Sequence, residues 1–212
     1  MENSFKILSK INPLISVQVV KGHFATSSAH RSHYIDIFDI KSSSSVAKHT
    51  AKVLAAPYTY KTAVDVIVHM DGTEVLAAYM ADELLQAGLG VINEGNEIYI
   101  VTPMIRADGR FVFHQSVQEK IRNKDVLLLM ASVSTGATVS RVMECFDYYG
   151  CNPVGISAVY TAVPSVNGKV INSLFTNYDI PDYRLYSPSE CVMCKEGLKL
   201  DAVFNCEGFT KL

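Results

Sequence analysis

Residues 126–138 read Val-Leu-Leu-Leu-Met-Ala-Ser-Val-Ser-Thr-Gly-Ala-Thr, and no other stretch limits the fold as strongly. The four apolar residues 126–129 predict a strand buried on both faces, which belongs in a parallel sheet. Ser134, Thr135, Gly136, Ala137 and Thr138 form a small hydroxyl-and-glycine turn, and Val139, Val142, Met143 and Phe146 follow at helical spacing. A strand running through such a turn into a helix start aims backbone N–H groups and the positive end of the helix dipole at one point. A phosphate fits there. The plainer reading is an ordinary strand-to-helix turn in which Ser or Thr caps the helix.

The same alternation continues on both sides of this segment. Residues 64–68 predict a strand, 73–88 a helix, 98–102 a strand, 137–150 a helix and 154–159 a strand, with a late strand at 169–175. Gly88 and Gly150 stand where helix C-caps belong. This succession implies an α/β fold with a central, mainly parallel sheet flanked by helices. Upstream, Phe5, Leu8, Ile11 and Ile15 predict a first helix interrupted at Pro13, and residues 34–40 predict a strand. The serine run 42–45 offers several N-cap candidates for a helix over 46–56 that Pro57 ends. Residues 103–123 show weak periodicity with a turn at Asp108-Gly109. No repeat or linker divides the chain. We expect one domain over 1–212, with 1–60 as an N-terminal hood, 61–180 as the core and 181–212 as a tail.

Composition removes several function classes. The formal net charge is −2 and no block of Lys or Arg stands out, which argues against nucleic acid as a partner. No run approaches the roughly 18 apolar residues of a membrane span, and residues 1–10 lack the apolar core of a secretory leader. Five unevenly spaced cysteines suit a reducing cytoplasm better than a disulfide framework. Cys191 and Cys194 have metal-ligand spacing with Cys206 as a possible third ligand, but no fourth Cys or His follows nearby, so a tail without metal is the expected state.

Residues 126–138 resemble the phosphoribosyl-diphosphate (PRPP) motif of type I phosphoribosyltransferases: a hydrophobic strand, two acidic residues, two small residues, then Thr-Thr-Gly. Residues 22–34, from Gly22-His23-Phe24 through Ser27-Ser28-Ala29 to Ser32-His33-Tyr34, are similar to a Gly-x-Phe-x-x-x-Ser-Gly-x-x-Ser-x-x-Tyr segment of orotate phosphoribosyltransferases. Cys191-Val-Met-Cys194-Lys-Glu-Gly197 resembles a Cys-Pro-Leu-Cys-x-x-Gly tail of some bacterial members. The resemblance spans residues 20–200. It implies the type I phosphoribosyltransferase fold, with Phe24, Ser27, Ser28 and Tyr34 in a hood over the base. It also implies phosphate binding at residues 134–138 and a diphosphate loop at His69, Met70, Asp71, Gly72 and Thr73. The reaction implied is PRPP plus orotate giving orotidine monophosphate and diphosphate, with Mg²⁺ bound through PRPP, in a homodimer that shares a mobile loop.

The chain departs from that pattern where charge is needed. The acidic pair falls on Met130 and Ala131, the mobile-loop lysines are replaced by at most Arg106 and Arg110, and the arginine that helps hold orotate falls near Thr161-Ala162. In the diphosphate loop Thr73 replaces a second glycine, and Asp71 and Glu74 add negative charge. A hydrogen bond to a charged group is worth roughly 1.5–3 kcal/mol. Losing two therefore costs about two to four orders of magnitude in ribose affinity. Phosphate binding by backbone amides does not need those carboxylates. The expectation is weak or absent transfer to orotate. The alternatives are a transferase or related enzyme acting on another substrate, or a non-catalytic protein of the same fold that binds a 5′-nucleotide or sugar phosphate or acts as a regulator.

Overall fold

The computed structural model describes residues 4–26, 28–86, 88–205 and 208–211. The chain opens with β1 (Ser4–Leu8), β2 (Ser16–Ala25) and β3 (His30–Asp36), followed by α1 (Phe38–Ser42) and α2 (Ser44–Ala55). The centre contains β4 (Val66–His69), α3 (Glu74–Leu85), β5 (Tyr99–Val101), a hairpin of β6 (Met104–Ile105) and β7 (Phe111–Val112), and α4 (Gln115–Ile121). Then come β8 (Asp125–Val133), α5 (Ala137–Tyr149), β9 (Asn152–Thr161), β10 (Ser165–Val166) and β11 (Lys169–Thr176). The C-terminal part supplies β12 (Leu185–Tyr186), α6 (Val192–Lys195), β13 (Ala202–Asn205) and β14 (Gly208–Lys211).

The core sheet has the order β10-β11-β9-β8-β4-β5. Its pairings are parallel except for β10, which returns antiparallel along β11. Strand alternation sorts the side chains into two cores. Ile67, Leu127 and Leu129 pack with Leu54 of α2 and with Leu76, Met80 and Leu84 of α3. Val66, Val68, Val126, Leu128 and Met130 pack on the other face with Val139, Val142 and Phe146 of α5. The apolar runs follow from burial on both faces. Gly150 closes α5 in a left-handed C-cap (φ 69°), accepting the position expected for it.

A second sheet, β12-β3-β2-β13-β14 with β1 along β2, covers one end of the core. It draws strands from both chain ends, so the N-terminal region and the tail complete one hood between them. Helix α2, assigned by sequence to the hood region, packs into the core beside α3.

Several local expectations fail for identifiable reasons. The predicted N-terminal helix is a hairpin: β1 and β2 pair antiparallel, joined by a loop in which Ser9 N–H donates to Ile15 O at 2.8 Å. Phe5 and Ile7 turn inward while Leu8 and Ile11 stay exposed, so the effective period is two. The strand expected over 34–40 stops at Asp36, whose Oδ1 accepts the Phe38 N–H at 2.9 Å and starts α1. Helix α3 ends at Leu85 with Gln86 extended, so Gly88 is not its cap. Helix α4 lies in the stretch read as aperiodic, and among its residues Ile121 alone is buried.

Candidate functional site

A cleft of about 420 Å³ opens between the hood and the end of the core sheet. Its floor is the β8–α5 junction. Gly136 adopts φ 84°, where L side chains are strained, and a Cβ there would come within 2.4 Å of Val166 Cγ2. Both constraints demand glycine. The turn carries β8 into α5, whose first turn holds no acidic residue. First-turn amides of a helix lack intrahelical partners and carry the positive end of its dipole. Ser134 and Thr138 line the cleft, while exposed Thr135 accepts the Ala137 N–H through Oγ1 at 3.4 Å.

Over this floor hangs Arg31, on β3. It is 6% exposed, its Nη2 donates to Ser134 Oγ, and its guanidinium lies 4.8 Å from the Phe204 ring centroid. The Nε–H is buried without a partner. A buried cation with an unused donor, directed at a small-residue turn, is a natural anion contact.

The second wall is the turn after β4. Asp71 (φ 59°) and Gly72 (φ 73°) occupy the left-handed region in succession, and Thr73 N–H donates to Met70 O at 3.2 Å. This is a type I′ arrangement, which Asp and Gly tolerate. The buried Thr73 hydroxyl donates back to Met70 O at 2.8 Å. Lys41 of α1 donates to Asp71 O at 3.1 Å and so brings a cation to this turn. Burial pushes the Asp71 carboxyl up from its usual range, and Lys41 pulls it partly back. Asp36, the other carboxylate on the cleft, already accepts the Phe38 amide. The buried Tyr160 hydroxyl is pushed far up and stays neutral.

Of the residues singled out by sequence, Ser28, Tyr34, Asp71, Ala131, Ser134 and Thr138 meet in this cleft. Others do not. Met130 is 1% exposed and points into the α5-side core, because β8 alternates faces; of the two family acidic positions only 131 lines the cleft. Phe24 is buried inside the hood, 6.0 Å from Tyr34 and 6.5 Å from Phe204 between ring centroids, so it supports the wall without lining the cleft. His69 and Met70 are buried behind the turn; burial pulls the His69 imidazole down, with Glu74 opposing. Arg106 and Arg110 sit at the β6–β7 hairpin and line a separate cleft with Arg141 and Tyr148. Ser27 and Cys206 lie outside the described residues. Cys191 and Cys194 meet His23 and His30 on the far side of the hood hairpin. Sequence reasoning missed Arg31, Lys41 and Tyr160. Arg31 lies inside the hood segment 22–34, where a single cation between His30 and Ser32 is the available signal.

No family model matches the chain. It is 31% identical over 99 residues to an orotate phosphoribosyltransferase of Chlorobium phaeobacteroides, covering 46% of this chain and 49% of that protein. It is 33% identical over 81 residues to an orotate phosphoribosyltransferase of Chlorobaculum parvum, covering 38% and 40%. The matched stretches thus span half or less of these relatives. Among solved structures, a UMP synthase of Leishmania donovani superposes with a TM-score of 0.54 at 16% identity, over 76% of this chain and 34% of that one. An orotate phosphoribosyltransferase of Mycobacterium tuberculosis superposes with a TM-score of 0.50 at 15% identity, over 76% and 90%. The chain has the type I phosphoribosyltransferase fold and is related in sequence, over about half its length, to orotate phosphoribosyltransferases.

Proposed function

We propose that the cleft binds the 5′-phosphate of PRPP or of a pyrimidine nucleotide, and that transfer to orotate, the reaction for which the curated relatives are named, is slow in this chain. The observation that carries the reading is Arg31: a buried guanidinium reaching from the hood to Ser134, at the N-terminal end of an α5 first turn free of acids. Amides, dipole and guanidinium together answer the charge and the acceptor atoms of a phosphate.

Transfer breaks the bond from the anomeric carbon to diphosphate and forms one to the base nitrogen, whose proton is released to the departing diphosphate or to solvent, with positive charge developing on the sugar. Preorganised negative charge facing that carbon would assist. Ala131 supplies none from the cleft floor. Mg²⁺ binds largely through substrate phosphates and waters with one or two carboxylates. Asp71, a carboxylate on the cleft wall, is the residue that would hold such a cation, whose charge would offset the burial that disfavours the ionised carboxylate. When bound, the cation supplies charge neutralisation for the diphosphate. Lys41 and Arg31, both on the cleft lining, would position the anionic ends.

Resemblance adds a homodimer, in which the β6–β7 hairpin of one chain approaches its partner's cleft. That would give Arg106 and Arg110 a role absent within one chain. Two assays separate binding from chemistry. A 5′-nucleotide should raise the melting temperature, and Arg31→Gln should reduce that shift; no shift with wild-type protein refutes the cleft assignment. With PRPP, Mg²⁺ and orotate, turnover should fall at least about a hundredfold below the roughly 1–10³ s⁻¹ of ordinary enzymes. Turnover in that range refutes slow transfer while leaving binding intact.

A further inference from the structure

Behind the hood hairpin, four side chains from three parts of the chain converge. His23 Nε2 on β2 lies 3.4 Å from Cys191 Sγ and 3.6 Å from Cys194 Sγ. His30 Nδ1 on β3 lies 3.3 Å from Cys194 Sγ and 3.2 Å from His23 Nε2. All four donor atoms fall within 4.8 Å of one another. A tetrahedral ion with Zn–S of about 2.3 Å and Zn–N of about 2.0–2.1 Å has N···N edges of roughly 3.3 Å and S···N edges of roughly 3.6 Å. The His23–His30 distance and the three sulfur–nitrogen distances above lie close to those edges.

Protonation points the same way. His23 Nδ1 is 3.0 Å from the Leu198 carbonyl oxygen, which can only accept. Nδ1 therefore carries the ring proton, and Nε2 presents its lone pair to the cluster. Three polar atoms, both sulfurs and His30 Nδ1, crowd that single lone pair. A hydrogen bond uses one of them; a shared cation uses them all. The Leu198 contact also fixes the ring orientation, as carbonyl partners of metal-binding histidines do. Asp201 steadies the same strand by accepting the His23 backbone N–H at 2.7 Å.

We propose that His23, His30, Cys191 and Cys194 bind one structural Zn²⁺ that fastens the C-terminal segment to the β2–β3 hairpin. Two thiolates and two imidazoles in a tetrahedral cage select zinc over magnesium, calcium or manganese. All four positions are filled by protein, so the site is closed and structural. Two thiolates also neutralise the ion's charge, which suits a site where Cys191 is 1% and His23 3% exposed. The ligands bracket the cleft wall: Thr26 and Ser28 lie between the two histidines, and Arg31 follows His30 directly. The ion thereby steadies the hairpin that carries Arg31 without touching the cleft.

The test uses the reduced 212-residue chain. Elemental analysis of protein expressed with zinc should find about one Zn²⁺ per chain, and Cys191→Ser or Cys194→Ser should lose it. Refilling wild-type protein with Co²⁺ should give the visible bands of a tetrahedral site together with thiolate-to-metal charge transfer, a readout that does not depend on variants folding. Failure of reduced wild-type protein to bind Zn²⁺ or Co²⁺ stoichiometrically would overturn the proposal. So would a cobalt spectrum without thiolate charge transfer, or full metal retention in both serine variants. None of these outcomes depends on whether the cleft binds a nucleotide.

Discussion

Arg31 carries the proposed binding role more than any other side chain, because it is buried, cationic and in contact with Ser134 in the turn between β8 and α5. Arg31→Gln removes a charged hydrogen-bond donor worth roughly 1.5–3 kcal/mol, so affinity for uridine 5′-monophosphate should drop about 10–100-fold by calorimetric titration. Arg106→Gln should leave that affinity unchanged in conditions where the chain is monomeric. Gly136 is structurally intolerant: Gly136→Ala combines a left-handed φ with a 2.4 Å approach to Val166 and should cost about 1–3 kcal/mol in urea denaturation. Adding Val166→Ala should recover only the contact part. Asp71 tests the electrostatics. Its folded pKa lies above the unfolded value because of burial, so as pH rises past the unfolded value the unfolded chain ionises first and folding stability is lost. Asp71→Asn, which also tolerates φ near 60°, should raise the melting temperature at pH 7 and change it little well below pH 3.8. An equal effect at both pH values would assign the change to packing.

Elements of the core were legible because each announces itself locally. Buried runs such as residues 126–129 and the helical spacing of Val139, Val142 and Phe146 need no distant partner to be read. The hood was not legible in that way. Phe5, Leu8, Ile11 and Ile15 fit a helical period, yet β1 pairs with β2 and the apolar side chains that count are Phe5 and Ile7. Strand pairing across the hairpin outweighs a weak local preference. The tail strands are still less readable, since β13 runs parallel to β2 from the opposite end of the chain. For the same reason the partners of Cys191 and Cys194, looked for downstream, lie some 170 residues upstream at His23 and His30. Hood packing gives an element-scale prediction. Phe24 is 3% exposed among Tyr34 and Phe204, so Phe24→Ala should destabilise by about 3–5 kcal/mol and weaken nucleotide binding through the wall that Tyr34 forms. Unchanged affinity in a folded Phe24→Ala protein would separate hood packing from the site.

At the scale of the molecule, a parallel sheet with both faces covered delivers two loops, at 70–73 and 134–138, to the same end of β4 and β8, and the hood closes over them. Crevices beyond the carboxyl ends of parallel strands are where such sheets bind ligands. No helix among the described residues is long and apolar enough to cross a membrane. If the homodimer forms, light scattering should give twice the 23.3 kDa chain mass, and a monomer would leave Arg106 and Arg110 without the proposed cross-subunit role. In the proposed function the cleft grips the phosphate, and not the base or the sugar. Titration calorimetry comparing uridine 5′-monophosphate with uridine tests it most directly. Phosphate recognition requires saturable one-to-one binding of the monophosphate and at least about tenfold weaker binding of the nucleoside. Equal affinity for the two, or heat from neither, would contradict it.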